Sequence, residues 1–136
     1  MKALFQAIQT KFSAEPHNDL YTALNGHMAL AHASQAWSMP YGVYLLVSNV
    51  PMYTFDDDEI ENARIQISLF SDDPAATEIT NLYDYADALY QHCQLSISGH
   101  NHLIMERIDN QLLCETDENG NFQYWHYIIE YRVQYE

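Results

Sequence analysis

Positive charge is what this sequence has least of. Five Lys and Arg stand against nineteen Asp and Glu in 136 residues, a formal charge of -14 with histidines neutral. A field of that sign repels nucleic-acid phosphates and anionic lipids within a Debye length of about 8 Å. This argues against a conventional DNA- or RNA-binding surface, but a conduit that DNA passes without sticking is consistent with it. Cysteine is also scarce: Cys93 and Cys114 are too few for a disulfide framework, so a reducing compartment and free, buried thiols are expected. The four glycines form no phosphate-cradling loop. Long apolar runs are missing too. The opening MKALFQAIQTKF interrupts its apolar positions with polar ones, so neither a signal peptide nor a membrane span is expected, and synthesis in the cytoplasm is.

What is present is a hydrophobic content of 48%, enough at this length for one domain spanning residues 1–136 that buries about two-thirds of its extended-chain surface. The organising stretch is Pro40 to Ser71. Tyr41 to Val47 is almost continuously apolar, which predicts a central strand covered on both faces. Ala63, Ile65, Ile67 and Leu69 alternate with Arg64, Gln66 and Ser68 and predict a second strand with one buried face. The run Asp56-Asp57-Asp58-Glu59-Ile60-Glu61 between them is too like-charged to pack on itself and predicts a solvated excursion at the end of the sheet.

Leu4, Phe5, Ile8 and Phe12 share one face of a predicted helix over Lys2–Phe12. Ser13 to Asn18 reads as a loop, Asn25-Gly26 as a turn, and Leu24 to Ala36 as a short strand followed by a loop. Asp73-Pro74 predicts an N-cap followed by proline at the first helical position. Ile79, Leu82, Tyr83, Ala86, Leu89, Tyr90 and Cys93 then form an apolar helical stripe. Leu95 to Ser98 and Leu103 to Ile108 read as short strands, Asp109-Asn110 as a turn, and Asn119-Gly120 as a hairpin signal. In the last strand Trp125, Tyr127, Ile129, Tyr131, Val133 and Tyr135 face one way, and His126, Glu130, Arg132 and Gln134 the other. The predicted fold class is α+β: a mostly antiparallel sheet of about four to six strands with two helices packed on one face.

Signals for chemistry are sparse. The acids at 56–59 lack the ligand spacing and turn glycine of an EF-hand. His100-x-His102, with His92, Cys93 and Cys114, has none of the spacings of a zinc site. No G-x-S-x-G occurs, and Ser98-Gly99-His100 has no glycine before the serine. No catalytic, cofactor-binding or metal-binding residue is assigned, and no enzymatic activity or cofactor is expected. The acidic run admits three readings: part of a metal site, a solvated charge run, or carboxylates that steer assembly or repel DNA. Eleven tyrosines and two tryptophans exceed what one small core needs, and such residues are enriched at interfaces. Trp37, in the loop Trp37-Ser38-Met39-Pro40, is the leading candidate for an exposed anchor.

PYGVYLLVSNVPMYTF, the acidic loop, ARIQISLF, the helix that follows and the terminal NGNFQYWHYIIEYRVQYE together resemble the tail completion or tail terminator proteins of long-tailed bacteriophages. The resemblance implies a structural virion subunit made in the host cytoplasm. It would assemble as a hexameric ring at the head-proximal end of the tail, stop polymerisation of the tube and form the surface that joins the head. The implied partners are copies of itself, the tail tube protein and the head–tail connector or neck protein, with DNA passing through the ring, no sequence-specific nucleic-acid binding and no membrane. The candidate interface residues are Trp37, Met39, Tyr53, Phe55, Asp56, Asp57, Asp58, Glu59 and Glu61. Two other classes stay open: an acidic inhibitor that mimics DNA, and a small metal-dependent hydrolase or nuclease.

Overall fold

The computed structural model describes every residue, Met1–Glu136. Three helices, α1 (Lys2–Ser13), α2 (Asp19–Ala23) and α3 (Thr77–Tyr90), accompany six strands: β1 (Met28–Leu30), β2 (Tyr41–Asn49), β3 (Met52–Tyr53), β4 (Glu59–Ser71), β5 (His102–Thr116) and β6 (Phe122–Tyr135). The sheet runs β1-β2-β4-β6-β5, with β3 paired to the start of β4. Every pairing is antiparallel except β1 with β2. The α+β class therefore holds, with three helices where the sequence predicts two.

The long strands form because period-two alternation gives each a face to bury. Ile65 opposes Tyr131 and Ile67 opposes Ile129, and all four are completely buried. On the same face, α1 contributes Leu4, Ile8 and Phe12, and α3 contributes Ile79, Leu82, Ala86 and Tyr90, to one cluster of 23 buried residues. All the helices thus cover one side of the sheet, and the other side has none. Tyr90 carries its hydroxyl into this core and donates to the Ile8 carbonyl at 3.0 Å, so the burial leaves no orphan polar group.

Several expectations are corrected. β2 lies next to the edge, since only the three-residue β1 flanks it; it is fully buried only over Gly42–Tyr44, and Val47 is 42% exposed at a bulge between Leu46 and Ser48. α3 begins at Thr77, four residues after Asp73, with no side-chain cap. Asp73 instead accepts from the Ala75 amide at 3.0 Å, closing a turn before the helix. Asp109-Asn110 is not a turn: both residues pair with β6 inside one continuous strand, β5, whose register shifts at Ile108, between Arg107 and Asp109. Leu95 to Ser98 is not a strand, although Leu95 and Ile97 are buried. α2 is a single turn started by Asn18, whose side chain accepts from the Tyr21 amide at 2.8 Å. Both cysteines are free, but Cys114 is exposed and Cys93 only half-buried.

Candidate interaction site

The acidic run sits on a projecting hairpin. β3 pairs with the first residues of β4, Met52 opposite Ile60 and Tyr53 opposite Glu59, so Glu59 and Glu61 belong to a strand and only Asp56–Asp58 to the loop. The Thr54 amide donates to the Asp58 carbonyl at 2.9 Å and the Asp57 amide to the Thr54 carbonyl at 3.1 Å. The Thr54 hydroxyl accepts from the Asp58 amide at 3.2 Å. Asp57 takes the left-handed conformation at φ 64, a region that Asp tolerates better than most side chains. At the base, Asn49 donates to Glu61 at 2.6 Å. Local hydrogen bonds thus hold the hairpin in shape while its side chains point outward.

Those side chains include the most exposed aromatics of the molecule. Phe55 is 108% and Tyr53 68% exposed, and Val50 and Met52 extend the apolar strip. Single exposed apolar residues are ordinary, whereas contiguous exposed apolar surface is of the kind enriched at interaction sites. Asp56, Asp57, Asp58 and Glu59 beside them are exposed as well. The arm is thus an apolar knob with a negative collar.

The other candidate residues lie in the β1–β2 connection. Trp37 is half-buried, its ring stacked on His27 at 4.7 Å and 9°, so it is less free than an exposed anchor would be. Met39 is half-buried too. The tyrosine surplus is mostly absorbed by the fold: Tyr44, Tyr90, Tyr131 and Tyr135 are buried, and Tyr53 alone is exposed.

On the body of the domain each of the three arginines is held by a carboxylate of its own chain, which leaves most of the nineteen acids without a basic partner. On the helix-free face Arg64 pairs with Glu130 and Arg132 with Glu106, which neutralises two arginines that oppose each other across β4 and β6. On the helix side Arg107 meets Asp87 of α3 at 2.8 Å and also donates to the Tyr83 hydroxyl. The Tyr131 hydroxyl donates to Asp87 at 3.1 Å. Burial, reinforced by the Asp87 charge, pushes the Tyr131 phenol far up. Burial also lowers the His102 and His126 imidazoles; His126 lies flat on Phe70 at 4.3 Å.

The larger hollows are surface clefts. One of about 500 Å³ lies at the β5–β6 turn beside Asp117, Glu118 and Asn119. Another of about 490 Å³ is lined by residues of the 94–102 segment, including Ser98 and His100. No hydrogen bond joins Ser98 to His100, whose ring instead meets Tyr135 edge-on at 5.1 Å. His102 accepts from the Leu95 amide at 3.3 Å, and the Cys93 sulfur lies 3.6 Å from that of Met105. No three His, Cys, Asp or Glu side chains come together as a metal-binding group, so His92, Cys93, His100, His102 and Cys114 do not assemble, nor do the hairpin acids converge. No helix is long and apolar enough to cross a membrane.

These features define a small α+β domain with a one-sided helical layer and a projecting hairpin. Solved structures share the fold. A chain of the virion of a native gene transfer agent particle is similar over 98% of this chain and 96% of its own, with a TM-score of 0.72 and 12% identity. A second solved structure is similar over 97% of this chain and 94% of its own, with a TM-score of 0.53 and 11% identity. At these identities the likeness is one of fold. No protein-family model matches the sequence, and no curated protein matches it.

Proposed function

We propose that this protein is a structural component of a phage-like virion, acting as a tail terminator. Copies form a closed ring on the end of the tail tube, end its polymerisation and present the surface that joins the head. The observation that carries this reading is the end-to-end fold likeness to a chain of a gene transfer agent virion. The terminator role within such a particle is drawn from the sequence resemblance to tail completion proteins.

The work of such a subunit is done by surfaces, and the hairpin is the surface best suited to it. Tyr53 and Phe55 supply contact area, while Asp56, Asp57, Asp58, Glu59 and Glu61 supply orientation and salt-dependent encounter. Trp37 and Met39, before β2 and so at the opposite end of that strand from the hairpin, form a second contact. The remaining acidic surface suits a channel that DNA traverses without adhering. The implied partners are copies of the chain, the tail tube and the neck, with no catalytic step. Deleting the coding sequence from the particle's genome and imaging the tails tests this: tails of uncontrolled length without joined heads are expected, and normal particles would overturn the reading.

A further inference from the structure

A groove lies between α1 and the edge of the sheet, with a volume of about 440 Å³. Phe5, Leu30 and Tyr44 supply its apolar walls and Lys2 stands among its lining residues. The Phe5 and Tyr44 rings sit 6.3 Å apart at 56°, and Leu30 is 41% exposed. Three elements converge here; Phe5 and Leu30 leave apolar surface uncovered, while Tyr44, 3% exposed, adds little to it. Charge says what covers it. Of the five basic side chains, Arg64, Arg107 and Arg132 are each held by a carboxylate of their own chain, whereas Lys2 and Lys11 pair with none. An occupant that matches this groove is therefore an apolar or aromatic side chain with acids next to it, and the molecule displays that combination most fully at Phe55, 108% exposed beside Asp56–Asp58; Ile108 beside Asp109 is only 42% exposed and has a single adjoining acid.

We propose that the hairpin tip of one copy docks in this groove of a second copy, Phe55 seating against Phe5, Leu30 and Tyr44 while the adjoining aspartates meet Lys2. Knob and groove are different patches, so the contact is head-to-tail, and repeating it generates a closed ring when the rotation closes. The proposal supplies the ring contact of the terminator reading and rests on that reading only for its biological purpose. An aromatic anchor in a desolvated pocket with a charged rim is the usual anatomy of a strong contact.

Single-cysteine trapping tests it. In full-length protein carrying Cys93→Ala and Cys114→Ser, Phe55→Cys is mixed with Leu30→Cys and oxidised at high protein concentration, where weak contacts are populated and captured. The expected result is a disulfide-linked heterodimer in about tenfold excess over a control pair of Phe55→Cys with Glu118→Cys, on the exposed tip of the β5–β6 turn. Lys2→Glu should lower the yield several-fold, and the added change Asp56→Lys should restore it, as expected of charge pairs. Heterodimer no more abundant than the control overturns the proposal, as does indifference to Lys2→Glu. If trapping fails while tails still lose length control without the protein, the contact alone is wrong. If trapping succeeds while tails are normal without it, the terminator reading alone is wrong.

Discussion

Replacing Phe55 by alanine separates binding from folding. The ring is fully exposed and belongs to none of the residues packed in the core, so its loss should alter unfolding free energy by no more than about 0.5 kcal/mol, as for surface positions generally. Ile67→Ala serves as the comparison. Ile67 is 0% exposed, in the middle of β4 between β2 and β6, and truncating it should cost about 2–5 kcal/mol. If Phe55 is instead buried against a partner, removing it forfeits the transfer of one large apolar side chain, about 1.5–3 kcal/mol. That converts to roughly ten- to a hundredfold weaker association per contact. Urea denaturation followed by circular dichroism measures the first quantity, with an unchanged m-value showing that the same surface unfolds. Complementation of tails lacking the protein reports the second: Phe55→Ala should need much higher expression than wild type to restore length control. A stability loss above about 1 kcal/mol, well outside the surface range, or full complementation at wild-type expression, would refute the assignment of Phe55 to a partner.

Asp87→Ala should destabilise by about 1–3 kcal/mol in urea denaturation, because it strands the buried Tyr131 hydroxyl and one side of Arg107; an unchanged midpoint would contradict the role given to this cluster. Gly120 has φ 80 and open space around its Cα, so Gly120→Ala should cost about 1–2 kcal/mol from backbone strain alone, and a thermal melt that does not move would count against it. His102 and His126 have folded pKa values below their ordinary one because burial disfavours the imidazolium. The unfolded chain then binds protons first, so their contribution to stability is whole above about pH 6.5 and is lost as pH falls through that value toward the folded ones. Urea midpoints should drop between about pH 7.5 and about pH 5, and His102→Gln with His126→Gln should reduce the drop; the same slope in the double variant would refute this.

The strands β4 and β6 were legible because apolar residues alternate where one face is buried: Ala63, Ile65, Ile67 and Leu69, and Ile129, Tyr131, Val133 and Tyr135, are buried as their spacing predicts, whereas Ser68, assigned to the wetter face with Arg64 and Gln66, is buried too. The stripe of α3 was legible for the same reason, yet its start was not, since Asp73 offers the same side chain to a turn as to a helix cap. β5 was read as fragments because the bulge after Arg107 changes which residues face inward. α2 has five residues, too few to display a helical period. Tyrosine misled in the other direction: its hydroxyl can be carried into the core when a carbonyl or carboxylate waits there, as for Tyr90 and Tyr131. The acids at 56–61 stood out in sequence. The exposure of Tyr53 and Phe55 rested on more than their residue type, and the Phe5, Leu30 and Tyr44 groove is built from three separate elements.

Electron cryomicroscopy of intact particles from the genome that encodes this chain tests the central claim most directly. The account predicts a closed ring of this α+β fold at the head-proximal end of the tail tube, each hairpin reaching into the neighbouring subunit. Density for the fold elsewhere in the particle, or none in it, would contradict the account.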